Sequence, residues 1–150
     1  MADLNINEST SILRNNYNGH LAYISNGKPY VVPITFYFDP TDNSIISYTG
    51  EGHKIDAMRE NPSVSMVTEQ IQSLVNWKSA LIQGEFEELE GSFARQKLHD
   101  FFEGVKSVIQ QKDNKEVNFI NEFSSKSYGR GAPIVYRIKI KEITGKKREA

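Results

Sequence analysis

The sequence predicts a mainly β protein, a six-stranded antiparallel β-barrel with flanking helices, in a single domain over residues 1–150. Apolar and polar residues alternate in several short segments, tight-turn residues separate the early ones, and few segments carry helical spacing. The alternation is clearest near the C-terminus, where Ile134 and Tyr136 face one way and Arg137 and Lys139 the other. The basic face of that strand is expected to be a solvated barrel surface. Short strands joined by tight turns favour antiparallel pairing, and a set of this size favours a closed or partly closed barrel.

The N-terminal half is expected to hold one short helix followed by three strands. Asn26-Gly27 is the dipeptide that two-residue hairpin turns prefer, because both positions tolerate positive φ. A proline cannot donate to a strand ladder, so Pro33 predicts that its strand lies at an edge, is bulged, or leaves the sheet there. The third strand would complete a meander. In order, these elements are a helix over residues 7–16 and strands over residues 20–25, 30–38 and 44–49.

The C-terminal half is expected to hold two helices and three further strands. The strongest helical pattern places its apolar residues on one face, with Gly104 as a candidate interruption. Gly84 suggests a bulge or bend within a long strand. The pattern leaves open whether the long helix covers the barrel or contributes to a dimer contact. In order, these elements are a short helix around residues 55–58, strands over residues 64–69 and 77–89, the long helix over residues 94–109, and a last strand over residues 134–140.

The composition excludes several kinds of chemistry. With no Cys, the chain has no disulfide, thiolate metal site or cysteine nucleophile. The three His residues lack metal-ligand spacing, and no nucleophile elbow, Walker loop or dinucleotide fingerprint occurs. A net charge of −1, with the basic residues concentrated towards the C-terminus, argues against a nucleic-acid partner. A polar N-terminus and the lack of an apolar run of roughly 20 residues predict no membrane association and a cytoplasmic location.

One segment indicates an anion site. Residues 48–59 run from a strand through a glycine-containing loop into the first turn of a short helix, and Lys54 lies in that turn. Free backbone N–H groups and the positive end of the helix dipole converge there, and the lysine adds a full charge, so a phosphate group would bind favourably. The alternative is that Lys54 is only exposed and the glycines only serve the turn.

An ordered set of short motifs extends this interpretation. The motifs are Pro33-Ile-Thr-Phe36, Gly52-His-Lys54, Met58-Arg-x-Asn-Pro62, Val64, Val67-x-Glu69, Trp77-Lys-Ser79, Gly84 and Ile143-Thr-Gly-Lys146. No single motif is specific, but the ordered set resembles the flavin-binding split barrels. Within them it is most similar to the pyridoxamine 5'-phosphate oxidase-like proteins that include the nitroimidazole-resistance proteins. The resemblance extends from about Leu13 to the last strand.

The resemblance implies a six-stranded antiparallel FMN-binding split barrel of Greek-key type. It implies a homodimer with FMN at the subunit interface. Lys54 would hold the FMN phosphate together with His53. The alternative for the aromatic residues of the site is a place in the core or the interface. The residues implied to line the flavin are Pro33, Ile34, Thr35, Phe36, Tyr48 and Thr49, with Trp77, Lys78 and Ser79 reaching the flavin or closing the pocket.

The function implied is that of an FMN-dependent oxidoreductase acting on a small aromatic acceptor, with nitro compounds as the suggested class. Lys78 and Arg130 are candidates for the positive charge that stabilises reduced flavin near N1 and O2. A non-enzymatic flavin carrier or redox sensor is the main alternative, and a small nucleic-acid-binding barrel is a third, disfavoured by the acidic body. A true pyridoxamine 5'-phosphate oxidase is also disfavoured, because the chain ends Ile143-Thr-Gly-Lys-Lys-Arg-Glu-Ala150 rather than in an Arg-rich, Pro-containing strand.

Overall fold

The protein folds as one antiparallel sheet with helices on its outside. The structure is a computed structural model, and it describes residues 1–113 and 133–149. The helices are α1 (Ile6–Arg14), α2 (His53–Glu60) and α3 (Gly91–Asp113), and the strands are β1 (Ala2–Leu4), β2 (Asn18–Ser25), β3 (Lys28–Thr35), β4 (Tyr37–Asp39), β5 (Ser44–Thr49), β6 (Ser63–Ser73), β7 (Asn76–Glu88) and β8 (Ile134–Arg148). The mainly β fold class predicted from the sequence is confirmed.

The strands follow the order β3-β2-β6-β7-β8-β5-β4, with β1 added against β8. The strand predicted over residues 30–38 is therefore two strands at opposite ends of this order, joined by Phe36. The expected meander is wrong for the same reason, because β3 pairs with β2 whereas β4 pairs with β5. The six predicted strands are all present, and the larger count arises from this division and from β1, which has no strong sequence pattern.

Three local predictions agree with the backbone. Asn26 and Gly27 have φ values of 50° and 73°, as the predicted hairpin turn requires. Pro33 lies in β3, which is an edge strand of the sheet order. The β7–β8 register shifts between Gln83 and Gly84, and a Cβ on Gly84 would lie 2.6 Å from the Lys139 carbonyl oxygen. Glycine is needed there because the two strand backbones approach too closely for a side chain.

The long helix covers the outside of the barrel. Its buried residues Leu98, Phe101 and Val105 form a second apolar cluster with Ile46 of β5, separate from the main cluster inside the barrel. The candidate interruption at Gly104 does not occur, since α3 continues through it to Asp113. A Cβ on Gly104 would lie 2.1 Å from Cδ1 of Tyr37, so the glycine lets α3 pack directly against β4.

A charged network attaches α3 to the barrel. The Lys97 ammonium donates to Asp39 Oδ2 at 2.5 Å, and both side chains are almost fully buried. Arg137 donates to Asp42 at 2.8 Å and to Glu87, and its side chain is only 16% exposed. The expected solvated basic face of β8 is therefore wrong at Arg137. The guanidinium is partly buried between Asp42, Glu87 and the ring of Phe93, whereas Lys139, farther along, is exposed although it also pairs with Glu87.

The N-terminal helix begins at a complete capping box. Asn5 Oδ1 accepts from the Glu8 backbone N–H at 2.8 Å, and the Glu8 carboxylate accepts from the Asn5 backbone N–H in return.

None of the described helices is both long enough and apolar enough to cross a bilayer.

Candidate functional site

A cavity of about 420 Å³ opens between the edge strand β3 and the long helix α3. One wall comes from the barrel and the other from the apolar face of the helix. Its size falls in the range of small-molecule and cofactor sites. The lining residues are Tyr17, Asn18, Pro33, Ile34, Thr35, Ser47, Tyr48, Lys54, Phe101, Phe102, Val105 and Ile109.

Lys54 is the cation that the sequence predicted for this site, and its side chain lines the cavity. It lies in the first turn of α2, which begins after Gly52 without a side-chain cap. Within residues 1–113 and 133–149, no carboxylate forms an ion pair with the Lys54 ammonium. Burial lowers the pKa of Lys54, because a desolvated ammonium without a counter-charge is disfavoured. An anion bound beside it would relieve that penalty.

The helix wall of the cavity is aromatic. Tyr48 of β5 packs against Phe101 and Phe102 of α3, with each pair of ring centroids 5.4 Å apart, and the two phenylalanines are 5.3 Å apart. Phe101 is buried, whereas Tyr48 and Phe102 are only partly buried. The two partly buried rings are therefore placed to contact a ligand.

The floor of the cavity is fixed by hydrogen bonds from the barrel. Ser47 Oγ donates to the Thr35 carbonyl at 2.7 Å, which connects β5 to the end of β3. The Phe36 backbone N–H donates to the Tyr17 carbonyl at 2.8 Å, immediately after that strand. Tyr136, directly opposite Ser47 on β8, is fully buried, and burial raises its pKa to about 12. The backbone at Thr35 is thus held from two sides.

Five of the sequence-predicted site residues meet in this cavity, namely Pro33, Ile34, Thr35, Tyr48 and Lys54. The Phe36 side chain is fully buried in the barrel core instead. Thr49 follows Tyr48 at the end of β5 and does not line the cavity.

His53 does not line this cavity. Its Nδ1 is 3.0 Å from the hydroxyl of buried Tyr23, and its ring meets Tyr30 edge-on at a centroid distance of 4.8 Å. Tyr23 and Tyr30 stack on each other across β2 and β3. The ring of this exposed histidine is therefore positioned by two tyrosines.

The predicted motif Trp77-Lys78-Ser79 lies elsewhere in the same chain. It occupies the start of β7, where Trp77 pairs with Ile71 and with Arg148. Lys78 lines a separate groove of about 390 Å³ beside α1. None of the three residues lines the cavity beside Lys54. Arg130, the other predicted source of positive charge, lies outside the described residues.

Sequence reasoning missed the part of the cavity that α3 supplies. Phe101, Phe102, Val105 and Ile109 belong to the apolar face that the helical pattern revealed, but the pattern does not say which surface that face covers. Asn18 carried a turn signal only. Nothing in the local sequence distinguishes the four α3 residues from ordinary core positions.

Antiparallel strands that surround an apolar core, with a lysine-bearing strand-to-helix turn beside an edge strand, are typical of the split-barrel class known for binding flavins. The family comparison agrees with that class. A model of the pyridoxamine 5'-phosphate oxidase family matches residues 5–147, and the chain belongs to this family.

Known relatives extend over nearly the whole chain. An uncharacterized protein of Rhizobium meliloti is 31% identical over 127 residues, which cover 84% of this chain and 81% of that protein. A FAD-binding protein of Mesorhizobium loti is similar with a TM-score of 0.77 at 25% identity, covering 99% of this chain and 97% of the other. A Bacteroides thetaiotaomicron protein named for 5-nitroimidazole antibiotic resistance has a TM-score of 0.67 at 17% identity, over 96% and 85% of the two chains.

Proposed function

We propose that the protein is an FMN-dependent oxidoreductase that passes electrons to a small aromatic acceptor, with nitroaromatic and nitroimidazole compounds as the expected class. The observation that carries the proposal is Lys54, a partly buried ammonium that lines an otherwise largely apolar cavity. A phosphate is the anion that the first turn of α2 and this charge would hold together. The family match and the FAD-binding relative of Mesorhizobium loti support a flavin as the bearer of that phosphate.

The barrel side of the cavity fits a flat, mainly apolar ring system. Pro33 and Ile34 supply apolar surface there. Among the described strands β3 pairs with β2 alone, so the outer edge of the Pro33–Thr35 backbone can offer polar groups to the rim of a flavin ring. Bound flavin would supply the redox chemistry, while the protein contributes binding, orientation and exclusion of water.

The deciding experiment is the visible spectrum of the pure protein, with mass identification of whatever is released on denaturation. We expect the absorption bands of oxidised flavin and release of FMN. NADH or NADPH should then reduce the flavin, and a nitroheteroaromatic compound should reoxidise it. A colourless protein that takes up no FMN when titrated would refute flavin binding. A yellow protein that neither reductant reduces, and that nitro compounds fail to reoxidise after photoreduction, would instead be a flavin carrier or sensor.

We further propose that the working unit is a homodimer with the flavin at the interface. The motif that begins at Trp77 lies outside the cavity of its own chain, so it could reach the flavin only from a second copy. The hairpin that carries it exposes apolar surface, because Ile71 is 68% and Leu74 is 83% exposed. Exposed apolar side chains grouped in this way are typical of protein interfaces.

Mixing of variants tests the shared site. Lys54→Ala and Trp77→Ala should each weaken flavin binding when expressed alone. If one subunit supplies Lys54 and its partner supplies Trp77, each mixed dimer contains one intact site, so random reassortment should restore about a quarter of all sites. Flavin content after co-refolding measures this fraction. A monomer in sedimentation analysis, or a mixture with no recovered sites, would refute the interface.

A further inference from the structure

The two walls of the cavity are chemically different. The barrel wall, taken together with the first turn of α2, holds Lys54 and the polar groups of Thr35 and Ser47, whereas Phe102 and Val105 make the α3 wall apolar. A flavin held by its phosphate at Lys54 would place its charged end on the barrel side. That arrangement would leave the α3 wall for a second ligand.

We propose that Phe102 is a specificity-determining residue, and that with Tyr48 it selects an uncharged aromatic ring over a phosphorylated or carboxylated one. The inference rests on the proposed function, since it concerns the ligand beside the flavin. Phe102 and Tyr48 are the partly buried members of the aromatic group whose third member, Phe101, is buried beneath them. A planar ring gains stacking or edge contacts on such a surface, whereas a phosphate placed against the Phe102 ring loses hydration without gaining a counter-charge from it.

Rigid packing makes this wall able to discriminate. Gly104 brings α3 into direct contact with Tyr37. The buried Lys97–Asp39 ion pair fixes the helix about two turns before Gly104. Both contacts lie on the same helix as Phe102 but outside the cavity. A wall held in this way cannot move aside for a charged group, so its selectivity is built into the fold.

Calorimetry with a matched pair of ligands tests the proposal. The flavin-loaded protein is titrated with 4-nitrobenzyl alcohol and with 4-nitrobenzyl phosphate, which differ only in the phosphate. We expect the alcohol to bind at least about tenfold more tightly than the phosphate, which is the size of discrimination that enzyme pockets reach against a poorly matched group. Equal affinity, or preference for the phosphate, would overturn the proposal.

Two variants of Phe102 and one control variant separate the ring contact from the preference against charge. Phe102→Leu should weaken binding of the alcohol about twofold to tenfold through loss of the ring contact, and keep the order of preference. Phe102→Arg should reverse or abolish the preference, whereas Ser107→Arg, at an exposed position of the same helix, should not. Equal effects of the two arginine variants would overturn the assignment to Phe102.

Calorimetry detects these ligands whether or not flavin is bound, and flavin content is measured on the same samples. A protein without flavin would therefore count against the proposed function alone. A flavin-loaded protein that does not distinguish the two ligands would count against the role of Phe102 alone.

Discussion

Replacing Lys54 with methionine should have opposite effects on stability and on flavin binding. Methionine keeps an unbranched apolar stem and removes the charge. In the folded protein, burial lowers the pKa of Lys54, and no described carboxylate within 4.0 Å offsets the loss of water. At neutral pH the lysine is charged in both the folded and the unfolded chain, so its charge favours the unfolded chain. The flavin-free variant should therefore be more stable than the wild type, by about 0.5–1 kcal/mol, the usual gain when a functional residue is replaced by a stabilising one.

Flavin binding should weaken in the same variant. A charge-assisted hydrogen bond to a phosphate contributes about 1.5–3 kcal/mol, which corresponds to a rise in Kd of about tenfold to 150-fold. In the wild type, FMN affinity should also decline as the pH rises. Because burial lowers the pKa of Lys54, its ammonium loses its proton at a lower pH than an ordinary lysine, and the decline should begin at that lower pH.

Urea denaturation of the flavin-free protein and fluorescence titration with FMN measure the two effects. Lys28→Met is the matched control, because Lys28 is exposed at the hairpin between β2 and β3, and both quantities should stay at wild-type values. A Lys54→Met protein that loses stability while binding FMN normally would make Lys54 a structural residue and refute the phosphate assignment.

Three further changes test the support of the cavity, each by urea denaturation. Gly104→Ala should lose about 1–3 kcal/mol, although alanine favours helices, because its Cβ would lie 2.1 Å from Tyr37; wild-type stability would mean that α3 can shift freely. Lys97→Met should lose about 3–5 kcal/mol at pH 7 by leaving Asp39 buried and unpaired. Burial alone would raise the pKa of Asp39, but Lys97 and two hydrogen bonds from Thr41 lower it overall from 3.8. The wild type should therefore lose this stability only as pH falls through that lowered value, and the gap to the variant should narrow there; a gap independent of pH would contradict the pairing. Ser47→Ala should lose about 1 kcal/mol with its hydrogen bond and weaken FMN binding; unchanged affinity would separate the floor of the cavity from the ligand.

The elements that depend on local patterns were predictable. The hairpin at Asn26-Gly27 needs only two residues that accept positive φ. The helix around Met58 and the long helix α3 follow from the spacing of apolar residues, and the bulge at Gly84 follows from a glycine inside a strand. Each of these signals is contained within a few consecutive residues, so it survives without knowledge of the tertiary fold.

What depended on distant partners was not predictable. The break at Phe36 exists because β3 pairs with β2 while β4 pairs with β5, and the apolar run across residues 30–38 is compatible with either partner. The partial burial of Arg137 and its ion pairs likewise depend on Asp42 and Glu87, which lie far from it in sequence. In β8 alone, an arginine that alternates with apolar residues has the pattern of a solvated one.

The cavity depends on a local motif and on a long-range packing contact, so its two proposed roles should be separable by mutation. Lys54 belongs to a local strand-loop-helix motif, whereas Phe102 reaches the cavity only because α3 packs across the barrel. The two residues lie on opposite walls. If the barrel wall holds the cofactor and the helix wall selects the second ligand, Lys54→Met should change FMN affinity without altering the preference between neutral and charged aromatics. Phe102→Arg should alter that preference more than it alters FMN affinity. Substitutions that act independently are additive, so if the two walls have separate roles a double variant should show both changes at full size.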